Sequence, residues 1–141
     1  MSMNKVIVTG GAGFIGSNLV ERLLKDGAEE ILIIDDFSTG KKENLHDSSK
    51  VHLIESKLED INDLESQFKG YDFCFHLAAG VGVQYIMDNL SDSLLTNIQG
   101  THIVFEACKE NNIPVLITST SEIYGTSKLS LIHISEPTRR I

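Results

Sequence analysis

The sequence predicts an α/β fold, a doubly wound parallel sheet with helices on both faces, and three features predict it. Short apolar runs recur that are nearly continuous rather than alternating, the pattern of strands buried on both faces. Segments of helical spacing separate these runs, and a glycine-rich turn joins the first run to the first such segment. In chain order, Val6-Ile7-Val8 is the first strand, and Phe14, Ile15, Leu19, Leu23 and Leu24 after it have the spacing of a helix able to pack on the sheet. Ile31-Leu32-Ile33-Ile34 is the second strand, and Val51, Leu53 and Ile54 mark a third. Asp60-Ile61-Asn62-Asp63-Leu64-Glu65 puts carboxylates where a helix N-terminus favours negative charge. Phe73, Phe75 and Leu77 mark a fourth strand, Ile103, Val104 and Ala107 a further helix, and Val115-Leu116-Ile117 a fifth strand; Gly27, Gly70 and Pro114 stand at stops between elements. Right-handed crossovers between successive strands then make the sheet parallel.

The 141 residues, 41% of them hydrophobic, suffice for one domain with its own core. With 20 Asp plus Glu against 12 Lys plus Arg, the chain has no basic excess to neutralise a phosphate backbone, so nucleic acid is not an expected partner. Any phosphate must be held locally. Cys74 and Cys108 each sit in an apolar stretch without metal-type spacing, which reads as two buried reduced thiols, no metal and a cytoplasmic setting. The start, Met1-Ser2-Met3-Asn4-Lys5, lacks a signal-peptide layout, and no apolar run approaches the ~18 residues that span a bilayer, so no membrane association is expected.

The chemistry begins at Thr9-Gly10-Gly11-Ala12-Gly13-Phe14-Ile15-Gly16-Ser17, a glycine pattern that leaves a strand and opens a helix, as a dinucleotide fingerprint requires. Gly10 permits the tight turn, Gly13 lets backbone approach a pyrophosphate, and Gly16 lets the helix lie close to the strand. The helix N-terminus adds free N–H groups and partial positive charge. A P-loop would end in Gly-Lys-Ser/Thr; Ile15-Gly16-Ser17 has no such lysine. Asp35 ends the second strand 19 positions after Gly16, where a carboxylate accepts from both adenosine ribose hydroxyls and repels a 2′-phosphate. NAD is therefore expected over NADP, with Lys41 and Lys42 the nearby residues that argue the other way.

With these residues in place the chain resembles the extended short-chain dehydrogenase/reductase family, which includes nucleotide-sugar epimerases, 4,6-dehydratases and uronate decarboxylases. The likeness runs from about Lys5 to Lys128 and rests on Thr9 to Gly16, Asp35-Asp36-Phe37-Ser38-Thr39-Gly40, His76-Leu77-Ala78-Ala79, Asn97-Ile98-Gln99-Gly100-Thr101 and Ser119-Thr120-Ser121-Glu122-Ile123-Tyr124-Gly125. It implies that Phe14 and Ile15 meet the pyrophosphate through their backbone, that Asp35, Asp36, Ser38 and Thr39 hold the adenosine ribose and its phosphate, and that Leu77 to Ala79 border the nicotinamide. It also implies a nucleotide-sugar substrate and a homodimeric parent enzyme. Many members carry Gly-Asp and an aliphatic residue after the third strand; here Ser56-Lys57-Leu58 leaves adenine to backbone and Leu58 contacts. His76, one histidine without an acid or metal partner in the sequence, reads as packed or hydrogen-bonded in the fourth strand rather than titrating in catalysis. Asn97 has two readings, a helix N-cap and, by the resemblance, a support of the active-site region.

By the same resemblance the catalytic hydroxyl is Thr120, hydrogen-bonding the sugar's C4 oxygen as that carbon loses or regains hydride. Glu122 stands where simple epimerases tend to have a small or neutral residue and several dehydratases and decarboxylases have glutamate, suited to removing a proton beside a transient ketone. Ser121 replaces the aspartate acid of some 4,6-dehydratases, which speaks against a glucose-type dehydratase; a uronate decarboxylase or another dehydratase is favoured slightly over a plain 4-epimerase. Tyr124 and Lys128 have the spacing of the family's reactive Tyr-x-x-x-Lys pair, yet Tyr124 belongs to the strand-end motif and glycine follows it, so the pair is expected beyond Ile141 and the chain alone is expected to be inactive. The competing reading from another class is a non-catalytic NAD-binding regulator, which would not need Ser119 to Glu122. Finally, residues 129–141 continue no strand or helix pattern, and Leu129 to Arg139 match the translation of a transposase-end adapter used in sequencing libraries; residues 1–128 are thus read as the incomplete NAD-binding domain and 129–141 as a non-native tail.

Overall fold

The computed structural model describes residues 3–80, 91, 94 and 96–119. The expected catalytic residues Thr120 and Glu122, together with Ser121, Tyr124, Lys128 and the tail 129–141, lie outside the described residues.

Five strands, β1 (Lys5–Thr9), β2 (Glu30–Asp35), β3 (Val51–Glu55), β4 (Phe73–His76) and β5 (Val115–Ile117), form one sheet in the order β3-β2-β1-β4-β5. Every pairing is parallel, with Val8 opposite Ile33 on one side and Phe75 on the other. Between the strands run α1 (Phe14–Lys25), α2 (Leu64–Phe68) and α3 (Thr101–Glu110). This is the doubly wound half of a Rossmann-like fold. The chain builds outward from β1 to β3, then returns to place β4 on the other flank of β1, so the strand order reverses between β1 and β4.

Alternation along the central strands explains the continuous apolar runs. Val6 and Val8 of β1 and Ile31 and Ile33 of β2 face Val20 and Leu23 of α1. Ile7, Leu32 and Ile34 point the other way, onto Leu64 and Phe68 of α2 and Val104, Ala107 and Cys108 of α3. Both sets are buried, and at roughly 1.5–3 kcal/mol per fully buried large aliphatic side chain they supply the main stabilisation of the sheet. The two cysteines are free and buried in the second cluster, and the hydrogen bond to Cys108, with burial, raises the pKa of Cys74.

Three expectations need correction. Burial on both faces holds for β1 and β2 but not at the sheet margins, where Leu53 of β3 and Leu116 and Ile117 of β5 are exposed because each strand has a described neighbour on one side only. Phe14 and Ile15 do not join Leu19, Leu23 and Leu24 on the sheet; at the mouth of the glycine turn they are 85% and 64% exposed. The acidic segment 60–65 is not one helix start: Asp60 closes a separate 3-10 turn, Leu58–Asp60, and α2 begins only at Leu64. Asp63, in the left-handed region at φ 60°, caps it by accepting the Ser66 N–H. Among the described residues no helix is long and apolar enough to cross a membrane.

Candidate functional site

A groove of about 580 Å³ opens at the carboxyl ends of the strands, above the point where the strand order reverses. Its floor is the turn from β1 into α1. Gly10 has φ +72°, a conformation that L side chains rarely adopt, and its N–H donates to the Ile34 carbonyl at 2.8 Å, which seats the turn against β2. A Cβ on Gly10 would stand 2.8 Å from the Ala78 nitrogen, and one on Gly16 would stand 2.2 Å from the Gly10 carbonyl oxygen. The turn therefore has room for backbone alone. Gly13 precedes α1 without any side-chain cap, and the helix's first turn holds no acidic residue. The first N–H groups of a helix have no intrahelical partner, so those of Phe14, Ile15 and Gly16 face the groove with the positive end of the helix dipole behind them. Such a site suits an anion.

Asp35, at the end of β2, is 8% exposed and already committed on both oxygens. Oδ2 accepts the Ala12 N–H at 2.8 Å and Oδ1 accepts the Phe37 N–H at 2.9 Å. A carboxylate has about four acceptor positions, so each oxygen keeps one for a diol. Asp36 accepts the Ser38 N–H at 2.9 Å and shapes the loop that follows. Of the two lysines that favoured a 2′-phosphate, Lys42 is turned to Glu55, Nζ to Oε2 2.6 Å, and lies 5.1 Å from the Phe37 ring centroid. Its charge is thereby partly answered.

On the opposite wall the segment after β4 leans on Thr9 and Asn97. Thr9 Oγ1 accepts the N–H groups of Leu77 and Ala78 at 3.2 and 3.1 Å. Asn97, in a π-type turn leading into α3, accepts the Gly80 N–H at 2.7 Å and donates Nδ2 to the Gly80 carbonyl at 3.4 Å. It does not cap α3, whose N-cap is Gly100. His76 is buried and hydrogen-bonded to Thr9 and Thr101, and burial lowers its pKa from 6.5 to about 4, in keeping with the packed reading.

The groove brings together Gly10, Gly13, Phe14, Ile15, Gly16, Asp35, Asp36, Ser38, Thr39, Leu58, Leu77, Ala78 and Ala79. Asn97 is not in its lining and reaches it only through Gly80. Sequence reasoning passed over Ile34, Glu59, Gly80 and Thr118 as lining residues, and named Ser56, Lys57 and Ser119 only within their motifs. Their signal was positional: each lies near the end of a parallel strand or in the loop that follows it, where ligands of such sheets sit. Glu59 follows Leu58 in the lining on the β3 side of the groove, after the segment where the Gly-Asp pattern is missing. Among the described residues no group of three or more His, Cys, Asp or Glu is placed to hold a metal ion.

A dinucleotide meets this donor and acceptor set well: a turn packed so closely that Gly10 and Gly16 admit no Cβ, an uncapped helix N-terminus for the pyrophosphate, and a buried carboxylate with spare acceptor capacity for a ribose. The UDP-N-acetyl-alpha-D-glucosaminuronate decarboxylase of Bacillus cytotoxicus is 35% identical over 122 residues, covering 86% of this chain and 38% of its own length. The UDP-N-acetylglucosamine 4-epimerase of Methanobrevibacter ruminantium, solved with UDP-N-acetylmuramic acid, superposes with a TM-score of 0.81 at 39% identity, over 91% of this chain and 41% of that one. The Bordetella bronchiseptica enzyme WbmG, solved with NAD and UDP, gives a TM-score of 0.79 at 34% identity, with the same coverage of 91% and 41%. The chain thus spans about two fifths of the length of these relatives. The NAD dependent epimerase/dehydratase family model matches residues 6–139, nearly the whole sequence, and the chain belongs to that family.

Proposed function

We propose that this chain is the NAD-binding half of an enzyme that oxidises a nucleotide-linked sugar at C4, alters the resulting ketone and returns the hydride, with decarboxylation or dehydration favoured over simple epimerisation. The observation that carries the reading is the groove itself, which joins the uncapped α1 N-terminus, Asp35 and the segment after β4 in one continuous surface. In this reading the backbone from Gly10 through Gly16 receives the pyrophosphate, with Phe14 and Ile15 donating N–H groups. Asp35, Asp36, Ser38 and Thr39 receive the adenosine ribose and its phosphate, Leu58 lies against adenine, and Leu77, Ala78 and Ala79 border the nicotinamide, with Asn97 bracing Gly80. NAD supplies the hydride acceptor when bound. Ser119, at the far wall of the groove, directly precedes Thr120, which supports Thr120 as the hydroxyl holding the C4 oxygen and Glu122 as the base beside the ketone. The preference for decarboxylation or dehydration rests on Glu122, and a decarboxylase stands among the relatives beside epimerases. The non-native reading of residues 129–141 remains part of the proposal, and a native reading frame through Leu129 at the source locus would remove it.

The test is equilibrium titration of the chain with NAD and with NADP, run beside a thermal melt. The expected result is saturable NAD binding at least about tenfold tighter than NADP, a difference of about 1.4 kcal/mol. A folded chain that binds neither overturns the assignment, and one that prefers NADP overturns the role of Asp35.

A further inference from the structure

We infer that His76 is a positioning residue for the cofactor groove: held as the neutral Nε2–H tautomer, it orients the Thr9 hydroxyl and through it the Leu77–Ala78 segment. The cofactor part of this inference rests on the reading proposed above.

The assignment follows from counting donors. Thr9 is fully buried at the end of β1, and its Oγ1 accepts from two backbone N–H groups, Leu77 at 3.2 Å, which it shares with the Thr9 carbonyl, and Ala78 at 3.1 Å. A hydroxyl has two lone pairs and one proton. With both lone pairs engaged, the proton goes to the remaining neighbour, His76 Nδ1, at 2.7 Å. Nδ1 therefore accepts and carries no proton. The ring proton sits on Nε2, which donates to Thr101 Oγ1 at 2.9 Å in the first turn of α3. The lowered pKa of the buried ring agrees with a neutral imidazole near pH 7. A proton on Nδ1 would confront Thr9 Oγ1 with three donors and two lone pairs.

One directed chain thus runs from the backbone after β4, through Thr9 and His76, to α3. Its upper end is the groove wall. Leu77 and Ala78 line the groove, and Ala78 N lies 2.8 Å from where a Cβ on Gly10 would be, so a shift of this segment alters the width of the groove above the glycine turn. His76 touches no ligand in this arrangement; it acts through Thr9.

Two isosteres separate this role from simple packing. In His76→Asn the amide oxygen stands near the position of Nδ1 and still accepts from Thr9. In His76→Gln the amide reaches toward Thr101 and leaves the Thr9 proton without its acceptor. In the full chain, NAD affinity is expected to stay within about threefold of wild type for His76→Asn and to fall at least about tenfold for His76→Gln, although Gln better matches histidine in volume. Equal losses, or better binding by His76→Gln, overturn the proposal. The wild-type chain gives a second readout that no folding defect obscures: nitrogen-15 shifts of the His76 ring at neutral pH. An Nε2–H pattern supports the assignment, and an Nδ1–H tautomer or an imidazolium overturns it. A folded wild-type chain that binds no NAD overturns the proposed function and the cofactor role of His76 together, while the tautomer still decides the hydrogen-bond direction.

Discussion

Replacing Gly16 by alanine tests the groove at its tightest point. The added methyl carbon would stand 2.2 Å from the Gly10 carbonyl oxygen, 2.8 Å from Gly11 Cα and 2.9 Å from the Gly10 carbonyl carbon, all of them backbone atoms. Side chains cannot relieve these contacts. To bring the closest one out to 3.0 Å, the first turn of α1 and the glycine turn must separate by 0.8 Å, the difference between 3.0 and 2.2 Å. Overpacking of this kind costs about 1–3 kcal/mol, offset by at most ~1 kcal/mol of helix propensity gained on leaving glycine. The expected net loss of stability is about 1–2 kcal/mol, a noticeable share of the ~5–15 kcal/mol of an ordinary domain. Binding should suffer more. A 2.9 Å hydrogen bond lengthened by nearly an ångström is no longer one, and losing a single charge-assisted bond to a phosphate, worth ~1.5–3 kcal/mol, weakens NAD at least about tenfold. Calorimetric titration reads the affinity and urea denaturation reads the stability. Gly27→Ala is the control: φ is +96° there and nothing lies within 4 Å of the new carbon, so it should cost about 1 kcal/mol in stability and leave the affinity of the folded chain unchanged. Wild-type affinity in Gly16→Ala would show that the helix N-terminus is not where the phosphates bind.

Three further outcomes are expected. Asp35→Ala should destabilise the cofactor-free chain by about 1–3 kcal/mol in urea denaturation, because it leaves the buried Ala12 N–H without its acceptor; an unchanged midpoint would confine Asp35 to ligand binding. Lowering the pH from neutrality toward 4 should cost the fold up to about 3 kcal/mol through His76, because its folded pKa of about 4 lies below the unfolded 6.5 and the unfolded chain takes up the proton first. That contribution is intact above pH 6.5, declines through the window below it, and should be absent from His76→Asn, so that the difference in stability between wild type and variant changes with pH across the same range. Glu55→Gln should release Lys42 and raise NADP affinity by up to about fivefold with NAD unchanged in parallel titrations, the scale of one exposed ion pair; no change would mean that Lys42 does not reach the 2′ position.

How much was legible beforehand depended on whether the signal was local. The glycine turn and the two central strands declare themselves within a few residues, since Val6 to Val8 and Ile31 to Ile34 need apolar side chains on both faces and Gly10 needs positive φ. The groove-lining residues up to Thr39 follow from that local pattern with the family likeness added. What stayed hidden was set by partners far along the chain. Nothing near His76 announces Thr9, 67 residues earlier, or Thr101, 25 residues later, so the sequence supports a packed or hydrogen-bonded ring without naming its partners. Asn97 has two readings in the sequence, a cap because a helix follows it and a support of the site by resemblance, and the Gly80 backbone that engages it lies 17 residues away. The outward turn of Phe14 and Ile15 was equally hidden, because helical spacing shows which residues share a side but not that the first turn overhangs a groove.

Ala12 has consequences for anyone who would redesign cofactor preference. Its N–H is held by Asp35, its carbonyl accepts both the Lys41 N–H at 3.2 Å and Asn44 Nδ2 at 2.8 Å, and a Cβ on Gly40 would stand 2.9 Å from its own Cβ. The loop proposed to receive the ribose is therefore fastened to the turn that would cradle the phosphates as well as to its own neighbours. The two are not exchangeable modules: a loop grafted in place of this one has to keep the contacts to Ala12, or the glycine turn has to be replaced with it.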